Sequence, residues 1–180
     1  MLEKGSAMGF ERFLAFSLVI GGLLFSSIFS AGCSGGLPPS SGSGFIRKEA
    51  LEYQKIAILP FKGDAKGEAS DSFAQAFHEK FQTITLVERK QILGMFEEQS
   101  LYAGQLSEAT RREMGKVFGV EAIIVGNVYY PSIVRWLLQV QIIEVETGEV
   151  MGRSMVEINY AGAEGVKKAC GIAVQNLMPR

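Results

Sequence analysis

Between Phe13 and Gly32 the chain carries no charged side chain. Phe13, Leu14, Phe16, Leu18, Val19, Ile20, Leu23, Leu24, Phe25, Ile28 and Phe29 make the stretch apolar enough for a membrane. About 20 such residues suffice to span a bilayer as a helix. A segment of this kind stands apart from any soluble core, so fold reasoning has to begin after it. It also inflates the hydrophobic fraction of the whole 180-residue chain to 47%.

The stretch ends in Ser30-Ala31-Gly32-Cys33-Ser34. Small residues directly before a Cys resemble a bacterial lipobox, in which a signal peptidase cuts before a diacylated thiol. Ser30 stands where that motif usually has Leu, and Lys4 and Arg12 are offset by Glu3 and Glu11. A retained transmembrane helix and a cleaved signal without lipid are the alternatives. The resemblance implies a signal peptide over 1–32 and lipidation of Cys33. Two or more acyl chains anchor stably where one is marginal. Ser34, in place of the Asp that commonly retains lipoproteins at the inner membrane, implies an outer-membrane anchor facing the periplasm.

Ser34 to Gly44 is Ser/Gly/Pro-rich and reads as a flexible tether. Residues 33–52 are therefore expected to be lipidated Cys plus linker, and 53–180 the folded domain. In that body Lys55 to Phe61 is an apolar run suited to a central buried strand. Ala69, Phe73, Ala76, Phe77 and Phe81 recur at helical spacing over 68–82. Ile84 to Val87 reads as a short strand, and Glu88 to Gln99 as a helix with Ile92, Leu93 and Phe96 inward. Leu101 to Gln105 reads as a loop. Ser107 caps a third helix, with Met114, Val117 and Phe118 as its apolar face and Gly119 after its end. The period then changes to two. A strand runs from Ala122 to Tyr130, and Pro131-Ser132 marks a turn. In the next strand Val134, Trp136, Leu138, Val140 and Ile142 share one face, while Arg135, Gln139 and Gln141 lie on the other. Glu146 to Glu149 is a hairpin turn, Val150 to Tyr160 the returning strand. Val166, Ala169, Cys170, Ala173, Val174 and Leu177 line one side of a closing helix. The order β-α-β-α-α-β-β-β-α predicts an α+β fold, a mixed sheet covered by helices.

Composition excludes several functions. With 18 basic and 19 acidic residues the formal charge is −1, and no basic stripe appears, so nucleic acid is not the expected partner. One His excludes multi-His metal sites, and two Cys cannot build a disulfide scaffold. His78 reads as a surface or boundary residue, and Cys170 as a small hydrophobe. Gly63 to Gly67 matches neither dinucleotide nor phosphate-loop spacing and reads as a turn. Asp64, Glu68 and Asp71 suit a helix amino terminus. No catalytic residue, metal site or cofactor is expected. Tyr129, Tyr130, Arg135 and Trp136 gather at the Pro131 turn and are of the types enriched at binding hot spots. Trp136 belongs to the core face, which leaves Arg135 as the candidate partner-binding residue.

Lys55-Ile-Ala-Ile-Leu-Pro-Phe61, Leu86-Val-Glu-Arg89 with Gln91-Ile-Leu93, Met114 to Gly126 and Ile143 to Val150 together resemble the CsgG-like lipoproteins. That group includes the curli secretion channel, LpoB-type activators of penicillin-binding proteins, and domains similar to the amino-terminal part of TolB. The resemblance spans about 53–177. It implies a TolB N-terminal-like mixed sheet, no catalytic residues, an envelope protein partner and the possibility of a homo-oligomer, with only Cys33 carried over as a functional residue. A membrane hairpin needs two strands of about 9–11 residues each. The three strands between Gly126 and Tyr160 are all needed for the sheet, so a CsgG-type barrel is not expected.

Overall fold

The computed structural model describes residues 41–87, 89–102, 104–158 and 162–179. The signal segment, Cys33 and most of the tether lie outside them. Six strands form one mixed sheet: β1 (Ser41–Ile46), β2 (Lys55–Ile58), β3 (Thr85–Val87), β4 (Ala122–Ser132), β5 (Arg135–Glu144) and β6 (Val150–Ile158). Among the described residues four α-helices accompany them: α1 (Glu68–Lys80), α2 (Arg89–Leu93), α3 (Glu108–Phe118) and α4 (Ala163–Asn176). The spatial order is β1-β6-β5-β4-β2-β3. β2 runs parallel to β3 and β4, and the other neighbours are antiparallel. The α+β architecture is the one that the alternating periods predict.

Alternation along the strands assigns the two faces. Ile56, Ile58, Ala122, Ile124, Val128, Trp136, Leu138, Val140, Ile142, Val156 and Ile158 join one core, together with Phe73 and Phe77 of α1 and the inner side of α4. Every residue expected on the inner side of α4, from Val166 to Leu177, is buried. Ala57, Leu59, Val87, Ile123 and Val125 face the other way and pack with Ile92, Leu101, Met114 and Val145. Among the described residues this second layer covers β2, β3, the start of β4 and, through Ile143, the end of β5.

Local chemistry sets the helix ends. The Asp64 carboxylate accepts from the Ser70 amide at 2.8 Å and its hydroxyl at 3.1 Å, which fastens the start of α1. Ser107 accepts from the Thr110 amide at 3.0 Å, and Gly119 closes α3 at φ 64°, where a side chain would be strained.

Four expectations need correction. Ser41–Ile46 is not tether but an edge strand, paired with β6 from Ser41↔Glu157 to Ile46↔Gly152. The folded body therefore includes residues 41–52, and Ala50 is buried within it. Side-chain-free positions let α4 come close: a Cβ on Gly42 would lie 2.6 Å from Asn176 Nδ2, and one on Gly44 2.8 Å from Asn176 Cβ. Second, the helix expected over 88–99 stops at Leu93, and a short 3₁₀ turn over Glu98–Leu101 puts Leu101 in the core. Third, the turn expected at Pro131-Ser132 lies at Ile133-Val134, because Ser132 pairs with Arg135. The register slips between Tyr129 and Ser132, and Pro131, with no amide proton to donate, sits in that irregular stretch. Fourth, Val117 is 44% exposed, and Arg111 takes an inward place on α3 beside Met114.

Candidate functional site

The half of the sheet that the second helical layer leaves bare is built from β1, β6, β5 and the far end of β4. Ser43, Phe45, Arg153, Met155, Glu157, Arg135, Leu137, Gln139 and Tyr129 alternate onto it. Phe45, Tyr129 and Met155 remain exposed there. Two shallow depressions of about 250 and 290 Å³ meet along β1 and β6, around Ser43 and Met155. Their chemistry is mixed: a thioether and an aromatic ring beside Arg153 and Glu157. A surface of this composition can hold a protein segment, while its openness offers no shelter from water for a reaction.

Arg135 stands on this face and is exposed, as its place in the period-two pattern predicts. It is not a free cation. Its Nε donates to Glu157 Oε1 at 2.9 Å across the β5–β6 ladder. Glu157 faces Leu137, two residues on, so the pair is the diagonal contact open to long side chains. Trp136 points the opposite way and is 1% exposed. Its Nε1 has no partner among the described residues, and the exposed Tyr130 ring lies tilted against it at 6.4 Å. The four residues at the turn thus divide: Tyr129 and Arg135 on the bare face, Tyr130 and Trp136 on the helical face. Beyond them the tip itself, Ile133 and Val134, is open to solvent. Cys33 lies outside the described residues.

His78 is on the exposed side of α1, as expected. Among the described residues no three His, Cys, Asp or Glu side chains converge as metal ligands would. Cys170 is fully buried and donates its thiol proton to Ala69 O at 3.3 Å. Burial, with a smaller contribution from Asp64, pushes this thiol up to about 12. The folded protein therefore holds the proton more tightly than the unfolded chain. The thiol's contribution to stability is complete below the ordinary value of 9.0 and is lost as pH rises toward about 12. Native protein should leave Cys170 unalkylated by iodoacetamide at pH 9, whereas urea-unfolded protein should react within minutes. Equal rates in the two states would overturn the assignment.

A polar group that sequence reasoning overlooked is Arg111. It is 8% exposed, and its guanidinium donates to the carbonyls of Glu144 and Val145 at the β5–β6 turn. Gly148 makes room for it, since a Cβ there would stand 2.8 Å from the guanidinium. Among the described residues no carboxylate pairs with it within ion-pair distance. The available signal was an Arg three residues before Met114, on the apolar side of α3. The arrangement is a strut between α3 and the hairpin. Arg111→Met should cost about 2–3 kcal/mol in urea unfolding, because two carbonyls lose their donor. A loss below about 0.5 kcal/mol would mean that water replaces the strut without penalty.

Tyr53 ties the core edge to the same hairpin through its hydroxyl, which donates to Glu144 Oε1 at 3.0 Å. Burial first, then the bonded Glu144 carboxylate, raise its phenol well above the ordinary value.

No family model matches this chain, and no curated protein sequence matches it. Solved structures do. The PelC dodecamer from Paraburkholderia phytofirmans superposes with a TM-score of 0.54 at 11% identity, covering 78% of this chain and 99% of that one. Lipoprotein GNA1162 from Neisseria meningitidis gives 0.49 at 11% identity over 60% of this chain and 81% of its own. The LpoB C-terminal domain from Salmonella enterica gives 0.45 at 16% identity, over 59% and 82%. The first of these establishes a common fold with PelC: a mixed sheet packed with helices, reaching nearly the whole of that protein.

Proposed function

We propose that this chain is a lipid-anchored, non-catalytic domain that works by protein–protein contact in assembly of, or secretion through, the bacterial cell envelope. The observation that carries the reading is the bare half-sheet. It is a broad, mixed apolar and charged surface on a chain whose amino terminus resembles a lipobox. Cys33 is the acylated residue, the mature protein begins there, and Ser34 directs it to the outer membrane with the domain facing the periplasm. The LpoB-like and CsgG-like readings of the sequence agree with this place and this mode of action.

Two experiments test it. Cys33→Ser should abolish palmitate incorporation and release the protein from outer-membrane fractions. A photo-crosslinking residue at Met155 should capture a different envelope protein in living cells, where one at exposed Lys168 on α4 should not. Persistent palmitate labelling of the Cys33 variant, or equal capture at both positions, would overturn the reading.

A second reading, a self-assembling ring, is favoured by two observations. The fold-mate PelC is described as a dodecamer, and β1 lies at an edge of the sheet. An uncovered edge offers unpaired backbone groups to another strand. Light scattering across a concentration series decides it: a discrete large oligomer supports the ring, and a monomer at every concentration removes it.

A further inference from the structure

We infer that the tip of the β4–β5 hairpin is a membrane-contacting element, seated in the interface of the bilayer that holds the acyl chains of Cys33. The inference rests on the lipid-anchor reading above. Tyr129, Tyr130, Ile133 and Val134 are exposed by 46, 62, 103 and 62%. Two-residue hairpin turns ordinarily use Gly, Asn or Asp, which tolerate the backbone and like water. Here the turn is Ile-Val, two β-branched apolar residues held out from the body. Clustered exposed apolar side chains of this kind mark a contact.

The occupant follows from charge and from where the chain leaves the fold. From Ala122 to Val134 there is no Asp, Glu, Lys, Arg or His. The first charge on the returning strand, Arg135, is neutralised by Glu157 at 2.9 Å. Ser41 pairs with Glu157, Glu157 with Leu137, and Leu137 with Tyr129. The chain therefore enters the sheet in the same cross-strand row from which the hairpin projects. Cys33 precedes Ser41 by about eight residues, a reach of at most about 28 Å. The tip extends about four residues past that row, or about 13 Å. A lipid on Cys33 thus confines the apolar tip to the neighbourhood of a bilayer. The opposite end of the hairpin system, with Glu146 and Glu149, lies a whole strand length further off. Two Tyr rings on opposite faces, with aliphatic side chains beyond them, match the order found at membrane interfaces, where rings sit at headgroup level.

The test uses the full chain reconstituted in vesicles of phosphatidylethanolamine and phosphatidylglycerol with brominated acyl chains. A polarity-sensitive fluorophore is placed on Ile133→Cys, and on Glu146→Cys as the far-end control. Mass spectrometry of the amino-terminal peptide reports acylation of Cys33. With Cys33 acylated, quenching at 133 should exceed that at 146 by about threefold or more, the depth of an interfacial element. Equal quenching at the two positions in the acylated protein overturns the inference. So does a blue shift at 133 without bromine quenching, which places the tip against a second copy or another protein. If Cys33 carries no lipid, the labelling is repeated on the Cys33→Ser background; quenching at 133 there means that the anchor reading fails and the hairpin contact stands. If 133 is not quenched there, both fall. Val134→Ser in the labelled Ile133→Cys protein should weaken the quenching without moving the urea midpoint, since Val134 is 62% exposed.

Discussion

Phe73→Ala should lower the unfolding free energy by about 3–5 kcal/mol, the range for deleting a buried ring. Phe73 is fully buried at the centre of α1. Its ring stands 5.6 Å from Phe61 on the strand-to-helix connection and 6.0 Å from Phe77 one turn on, and Phe77 stacks in turn on Phe81 at 4.5 Å. The Phe61 ring presses on the sheet where Gly126 has no side chain: a Cβ there would lie 2.4 Å from the ring. Loss of Phe73 leaves a cavity walled by rings and sheet, which cannot collapse without dragging Phe61 off Gly126. Gly126→Ala strains the same contact from the other side and should cost about 1–3 kcal/mol. Because both act on Phe61, the double variant should fall short of the sum. Urea unfolding monitored by Trp136 fluorescence and by circular dichroism measures all three. A Phe73→Ala cost below about 1 kcal/mol would mean that α1 does not close this core.

Where side chains report burial by their period, the sequence was readable. Trp136, Leu138, Val140 and Ile142 alternate into the core as the pattern demands, and the five apolar positions of α4 and Leu177 just after it are all buried. Ser107 and Gly119 bound α3 as cap chemistry requires. The failures share a cause: contacts made by residues whose type advertises something else. Ser41 to Gly44 looks like linker because glycine is ordinary in linkers, yet here its missing Cβ is what admits α4. Arg111 looks like a surface charge, but the carbonyls it satisfies lie on a hairpin more than thirty residues away. Pro131 looks like a turn residue, and the strand continues past it through a register slip. The exposure of Arg135 follows from alternation, whereas its partner Glu157 depends on the β5–β6 register, which no local pattern reveals. On the candidate surface the residue types at the turn were legible, and the vacancy of the sheet beside them was not. Among the described residues that vacancy follows from the break of the 88–99 segment after Leu93, with Leu101 packed back onto β2–β4.

Starting the chain at Tyr53, the boundary that composition suggests, should destabilise it by at least about 3 kcal/mol relative to a chain starting at Pro38. The shorter chain loses the whole β1–β6 ladder, exposing the amides and carbonyls of β6 at a new edge. It also loses buried Ala50 and the apolar cover of Ile46 and Leu51, which pack on the main core. The Arg47–Glu149 pair at 2.8 Å disappears as well, but both groups are half exposed or more, so that loss is minor. Gly44→Val in the longer chain isolates the packing part. Its side chain would meet Asn176 Cβ at 2.8 Å and the Arg153 carbonyl at 2.7 Å, so either β1 or α4 must shift, at about 1–3 kcal/mol. The order of urea midpoints should be Pro38 start, then Gly44→Val, then Tyr53 start. Hydrogen exchange adds a local reading: the amides of β6 that face β1 should lose protection in the Tyr53-start chain, while those that face β5 keep theirs. Equal stability and equal protection in the two chains would return Ser41–Ile46 to the tether. The anchor would then sit on a longer leash, and the short reach from Cys33 to the sheet, on which the membrane contact of the hairpin depends, would be lost with it.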